Sequence, residues 1–167
     1  MRPGPLAALV AVLACAVLAA SAAARKRSIY HSPLLWATVN VCDTEDHADS
    51  IGIRGSMPGS GFARERMYMR FQAQYFRASD QHWHNLPGGD SGFLAVGSAR
   101  YRARQAGRVF VFAPPSGRTY LLRGAVTFEW RRGSRIVRRA RKRTSAGHRS
   151  AAGADPPGYS AATCTIV

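Results

Sequence analysis

The stretch RMYMRFQAQYF, residues 66–76, repeats with period two. Met67, Met69, Phe71, Ala73 and Tyr75 share one side, while Tyr68, Arg70, Gln72 and Gln74 share the other. That is the pattern of a β-strand with one buried face. TYLLRGAVTFEWR, residues 119–131, behaves alike. Tyr120, Leu122, Val126, Phe128 and Trp130 oppose Thr119, Arg123, Thr127, Glu129 and Arg131. From Trp36 onward no stretch shows the 3.6-residue period of an amphipathic helix.

Shorter candidate strands fill the gaps at residues 50–54, 92–96, 109–112 and 135–140. LLWATVNVC, ending at Cys42, reads as the first strand, and AATCTIV, containing Cys164, as the last. Glycine and proline fall between them in SMPGSG, NLPGGDSG, APPSG and RRGSR, where a chain can reverse. Residues 130–136 read as a hairpin with its tip near Gly133. Seven to eight short antiparallel strands with regular turns predict an all-β sandwich. SARYRARQA, residues 98–106, is ambiguous: its composition favours helix, yet Arg100, Arg102 and Arg104 alternate as on an edge strand. Trp36, Trp83 and Trp130 are read as core residues.

The N-terminus reads as a separate segment. Arg2 precedes an apolar run over residues 6–20, and Ser21, Ala22, Ala23 and Ala24 supply small residues before Arg25. This is the layout of a secretory signal peptide over residues 1–24, cut after Ala22 or Ala24. The alternatives are a membrane anchor, although the run is shorter than the roughly 20 residues that span a bilayer, and lipidation at Cys15. Residues 25–35 then read as a flexible basic arm and 36–167 as a single domain, long enough for one good core. Once the leader is removed, no transmembrane span is expected.

With Cys15 gone, Cys42 and Cys164 remain. An even cysteine count in an exported chain predicts a disulfide, here joining the first strand to the last. Closing so long a loop is expected to stabilise the fold by roughly 4–5 kcal/mol.

The chain holds 24 Lys and Arg against 9 Asp and Glu, for a formal charge of +15. Only Lys26 and Lys142 are lysine; arginine in such excess, beside abundant Ala and Gly, is also what GC-rich codon usage produces. Eight cations crowd into residues 131–143: Arg131, Arg132, Arg135, Arg138, Arg139, Arg141, Lys142 and Arg143. Such a hairpin can attract phosphate, sulfate or carboxylate polymers. It can equally be an edge whose charge blocks aggregation. No aromatics interleave with these cations, so nucleic acid is not the expected partner.

Other chemistry is sparse. His82 and His84 would point to one side of a strand and could share a metal ion, with Asp80 or Asp90 as a further ligand. Asp43, Glu45, Asp46 and Asp49 form an acidic cluster that could offer oxygens to calcium, or pair with nearby arginines. There is no G-x-S-x-G, H-E-x-x-H or P-loop motif. A triad assembled around His148 stays open, and no cofactor is expected.

TVNVCDT, QAGRVFVF, LLRGAVTFEWRRGSRIVRRA and DPPGYSAATCTI together resemble uncharacterised secreted proteins of high-GC bacteria with an immunoglobulin-like β-sandwich. The resemblance implies the fold and brings neither an activity nor functional residues. The expected function is therefore a secreted or envelope-associated, non-catalytic binding module. Its arginine-rich hairpin, notably Arg135, Arg138, Arg139, Arg141 and Arg143, would contact an anionic envelope polymer or an acidic protein. The alternatives are a structural or interaction domain working through its loops, and a small metal-dependent enzyme.

Overall fold

Among the described residues, alternating apolar and polar side chains build eight strands: β1 (Trp36–Thr44), β2 (His47–Pro58), β3 (Arg66–Arg77), β4 (His82–Ser98), β5 (Ala103–Val111), β6 (Tyr120–Arg132), β7 (Arg135–Arg143) and β8 (Thr163–Ile166). A computed structural model describes residues 28–112, 114 and 117–167; the expected leader and Cys15 lie outside them. Among the described residues no helix is long and apolar enough to cross a membrane.

Two antiparallel sheets face each other. One has the order β1-β2-β5 and the other β4-β3-β6-β7, with β8 beside the first part of β6. Compared with the immunoglobulin arrangement, β1, β2, β5 and β3, β6, β7 keep their places, and β4 lies beside β3. The inner faces meet through Ile51, Ile53 and Met57 from one sheet and Met67, Met69, Phe71, Leu122, Phe128 and Trp130 from the other, all fully buried. Gly124 permits that contact, because a Cβ there would lie 2.7 Å from side-chain carbons of Ile53 and Thr144. Trp130 buries its ring and satisfies its indole N–H, which donates to the Pro58 carbonyl at 3.0 Å.

Several expectations change in detail. NLPGGDSG is not a turn between strands but part of β4, whose pairing with β3 slips on either side of Gln72. An edge strand tolerates Pro87, and glycines with positive φ, Gly88 and Gly92, absorb the irregularity. SARYRARQA resolves into a turn followed by β5, the edge of the three-stranded sheet. The expected arm is folded from Ser28 onward: a short 3-10 turn spans Ile29–His31, Ile29 packs on the core and Leu35 is buried. Trp83 is not a core residue; it pairs with Phe76, on the outward side of its sheet.

Residues 144–162 form a strap that crosses from β7 to β8 along the edge of β1. The amide of Val39 donates to the carbonyl of Ala161 at 2.9 Å, and the reverse bond is 3.0 Å. Ser145 N–H reaches Ala37, and Asp155 N–H reaches Asn40. The Asn40 side-chain amide donates to the Gly153 carbonyl at 2.6 Å. The strap delivers β8 so that Cys164 and Ile166 point inward and Cys164 bonds to Cys42, 122 residues earlier. The bridge therefore cross-links the two sheets.

Replacing both cysteines (Cys42→Ser with Cys164→Ser) should lower the free energy of unfolding by roughly 4–5 kcal/mol while the β circular dichroism survives. Guanidinium denaturation measures this, and an unchanged midpoint would mean that the strap's hydrogen bonds alone close the sandwich.

Candidate functional site

The cationic hairpin is divided by its own register. At the tip Arg132 pairs with Arg135 and Arg131 with Ile136, but beyond a bulge Trp130 pairs with Arg138. Val137 is the extra residue, and it packs against the core. From there on Arg139, Arg141 and Arg143 stand opposite Glu129, Thr127 and Ala125 on the outward face. Arg138, Ala140 and Lys142 take the side of Trp130, Phe128 and Val126.

Four of the eight cations are committed to two buried glutamates. Glu129 is 0 % exposed although it belongs to the outward face, because Arg131 and Arg139 close over it with ion pairs of 2.6 Å each. Arg131 in turn lies over the rings of Tyr68 and Phe93, at 4.2 and 4.6 Å. Glu65 is also 0 % exposed and is held by Arg138 at 2.6 Å and Arg132 at 3.2 Å. The Ser60 hydroxyl donates to the same carboxylate. Carboxylates so enclosed remain tolerable only because charge and hydrogen bonds compensate for lost water. Arg138 and Arg139, expected at the contact surface, are thus each committed to a buried glutamate, although the Arg139 side chain itself is 59 % exposed.

The outward face of β6 and β7 presents a different set. Arg123, Arg141 and Arg143 form no ion pair with a carboxylate among the described residues, and neither do Arg135 and Lys142. Arg123, Arg141 and Arg143 line one cavity of about 300 Å³ with Trp83 and Gln74. The Arg123 guanidinium lies 4.1 Å above the centre of the Trp83 ring, and its Nε donates to Gln74 Oε1 at 3.0 Å. Gln74 donates onward to Asn85 Oδ1 at 2.9 Å, so Arg123 is oriented by a fixed chain. Partial burial, and then repulsion from Arg143 and Arg141, lowers the Arg123 pKa. A second depression adjoins the first and shares Arg141, with Ala125 in its lining beside Gln72, Asn85 and Thr127.

The alternation of residues 119–131 already puts Arg123 on the polar side of its strand. What it does not reveal is the neighbourhood of Arg141 and Arg143, because counting back from the hairpin tip without the bulge would place Lys142 opposite Ala125.

The other candidates are structurally occupied. His82 and His84 do lie close to Asp80, but Arg77 binds the Asp80 carboxylate, which also accepts from His84 at 2.9 Å and from the His82 amide at 3.1 Å. The Arg77 hydrogen bond foremost keeps that carboxyl far below its ordinary range. Asp90 is paired with Arg70. Among the described residues no three His, Cys, Asp or Glu side chains are arranged to hold a metal ion. In the acidic cluster, Glu45 and Asp46 form the turn between Thr44 and His47, and Asp43 accepts the Asp49 amide at 2.8 Å. No arginine among the described residues pairs with the cluster; Thr44 and His47 instead bind Asp155 of the strap. His148 stacks on Trp36, 4.7 Å between ring centres, and its Nε2 lies 3.1 Å from Ser145 Oγ. No carboxylate among the described residues completes a triad there, and burial lowers the His148 pKa.

The two classes of arginine should respond differently to truncation. Arg138→Ala, which strips the closer partner from Glu65, is expected to cost about 3–5 kcal/mol. Arg141→Ala, which breaks no ion pair, should change stability by at most about 0.5 kcal/mol. Urea titrations of the two variants compare them directly, and equal losses would contradict the division.

No protein-family model matches the chain, and no curated protein matches it.

Proposed function

We propose that the protein is an exported, non-catalytic binding module whose outward five-stranded sheet face contacts an anionic polymer of the cell envelope. The observation that carries this reading is the partition of the cations. Glu65 and Glu129 absorb Arg131, Arg132, Arg138 and Arg139, while Arg123, Arg141 and Arg143 crowd together on an accessible face. Like charges held close without counter-charges cost stability, and an anion relieves that cost. The leader-like start and the Cys42–Cys164 bridge support export into an oxidising compartment. The immunoglobulin-like likeness is in keeping with a rigid scaffold for a binding face.

A second reading, a protein-interaction domain, draws on the opposite flank. Tyr30 and Phe62 are 43 % and 49 % exposed beside a cavity that Arg102 and Arg138 also line. The metal-dependent reading gains no support from Asp80, whose carboxylate is engaged by Arg77.

Retention of the purified protein on isolated envelope material from a high-GC bacterium, across a sodium chloride series, tests the first reading. Binding should fall steeply between low and physiological salt, as it does for sites that release counterions. Retention that ignores salt would favour the interaction domain, and absence of retention at low salt would overturn the polymer reading.

A further inference from the structure

The outward sheet face offers more than a diffuse positive charge. Resting on the binding-module reading, we propose that it holds a two-part site for a phosphorylated saccharide: the phosphoryl group at Arg123, Arg141 and Arg143, and the sugar ring in the adjoining depression over Ala125. Three features of the geometry point there.

The cations come from two paired strands and face one cavity of about 300 Å³. Among the described residues the side chains of Arg141 and Arg143 make no hydrogen bond, and Arg123 spends only its Nε, on Gln74. The outer nitrogens of all three guanidiniums are thus open. A carboxylate has two oxygens and one charge, enough for a single bidentate arginine. A phosphoryl group has three terminal oxygens and up to two negative charges, which suits several guanidiniums around it.

Arg123 is preorganised. The Trp83 ring beneath it and the Gln74–Asn85 chain beside it hold its plane before any ligand arrives. Less side-chain freedom is therefore lost on binding than with a mobile surface arginine.

The neighbouring depression carries hydroxyl and amide groups rather than further unpaired charge. Gln72, Asn85 and Thr127 stand around Ala125, and Arg70 is neutralised there by Asp90. Hydroxyl and amide groups above the nearly buried Ala125, which is 2 % exposed, match sugar hydroxyls. Arg141 lines both depressions, so a phosphate and its attached ring would lie side by side.

Isothermal titration of the disulfide-bonded protein at low salt, with glucose 6-phosphate, inorganic phosphate, glucose and glucuronate as probes, tests the site. The sugar phosphate should bind most tightly, inorganic phosphate more weakly, and glucose and glucuronate without measurable heat. Arg141→Ser and Arg123→Gln should each weaken sugar phosphate binding by about tenfold or more, the loss expected for a charge-assisted contact. Arg108→Ser, exposed on β5 of the opposite sheet and outside the cavity, should leave it unchanged. Arg141→Ser is exposed and breaks no internal bond, so its unaltered melting temperature separates lost binding from lost folding. Glucuronate binding as tight as the sugar phosphate, or equal affinities in the Arg108→Ser and Arg141→Ser variants, would overturn the proposal. Envelope retention that persists in the Arg141→Ser variant would sink this site while leaving the polymer reading standing; loss of retention in every form, the parent included, would sink both.

Discussion

One extra residue in β7 controls what the outward face of the sandwich becomes. Side chains alternate along a strand, so a slip of one residue sends every later side chain to the opposite face. With continuous pairing from Arg132 and Arg135, Lys142 would stand opposite Ala125, and Arg139, Arg141 and Arg143 would turn toward the core. The bulge at Val137 reverses that: it seats Val137 and Ala140 against the core and turns three arginines outward. Arg139 meets the carboxylate of Glu129, whereas Arg141 and Arg143 meet Arg123. A bulge is thus the device that divides a run of cations between clamps on two buried glutamates and one open cluster.

Closure of the sandwich makes this face dependable. β6 is the centre of its sheet, bordered by β3 on one side and by β7 and then β8 on the other. β8 is only four residues long, and such a strand has too few ladder bonds to hold itself in place. It stays because the strap binds β1 at Ala37, Val39 and Asn40 and because Cys164 is joined to Cys42. Holding β8 fixes Tyr120 to Arg123 through direct pairing, so the position of Arg123 depends on a bond to the opposite sheet.

The β class, the period-two core strands, the hairpin at Gly133 and the terminal disulfide were legible because each rests on local alternation or on cysteine count. The register of β7 was not, since Val137 looks like any apolar strand residue until its neighbours are placed. The span of β4 was misjudged because proline and glycine in NLPGGDSG signal turns by composition, while an unpaired edge allows the same residues to form bulges. Glu65 was invisible for another reason. Its partners Arg132 and Arg138 lie 67 and 73 residues further along, and only the packed sandwich brings them together.

Codon usage can account for how many arginines the chain has, but not for where they stand. A random surplus of cations on a β-sandwich would scatter over exposed positions and pair opportunistically with exposed acids. Arg70 with Asp90 and Arg77 with Asp80 are such exposed pairs, but two of the nine acidic residues are fully buried, and each takes two arginines. Burying a carboxylate is expensive, so these clamps fix the geometry around the hairpin rather than merely balance charge. Beside them, Arg123, Arg141 and Arg143 are left close enough to repel one another, with Trp83 and Gln74 holding the first in place. A fold that neutralises one group of cations at such cost and leaves the adjacent group open is what supports the proposed anion-binding face.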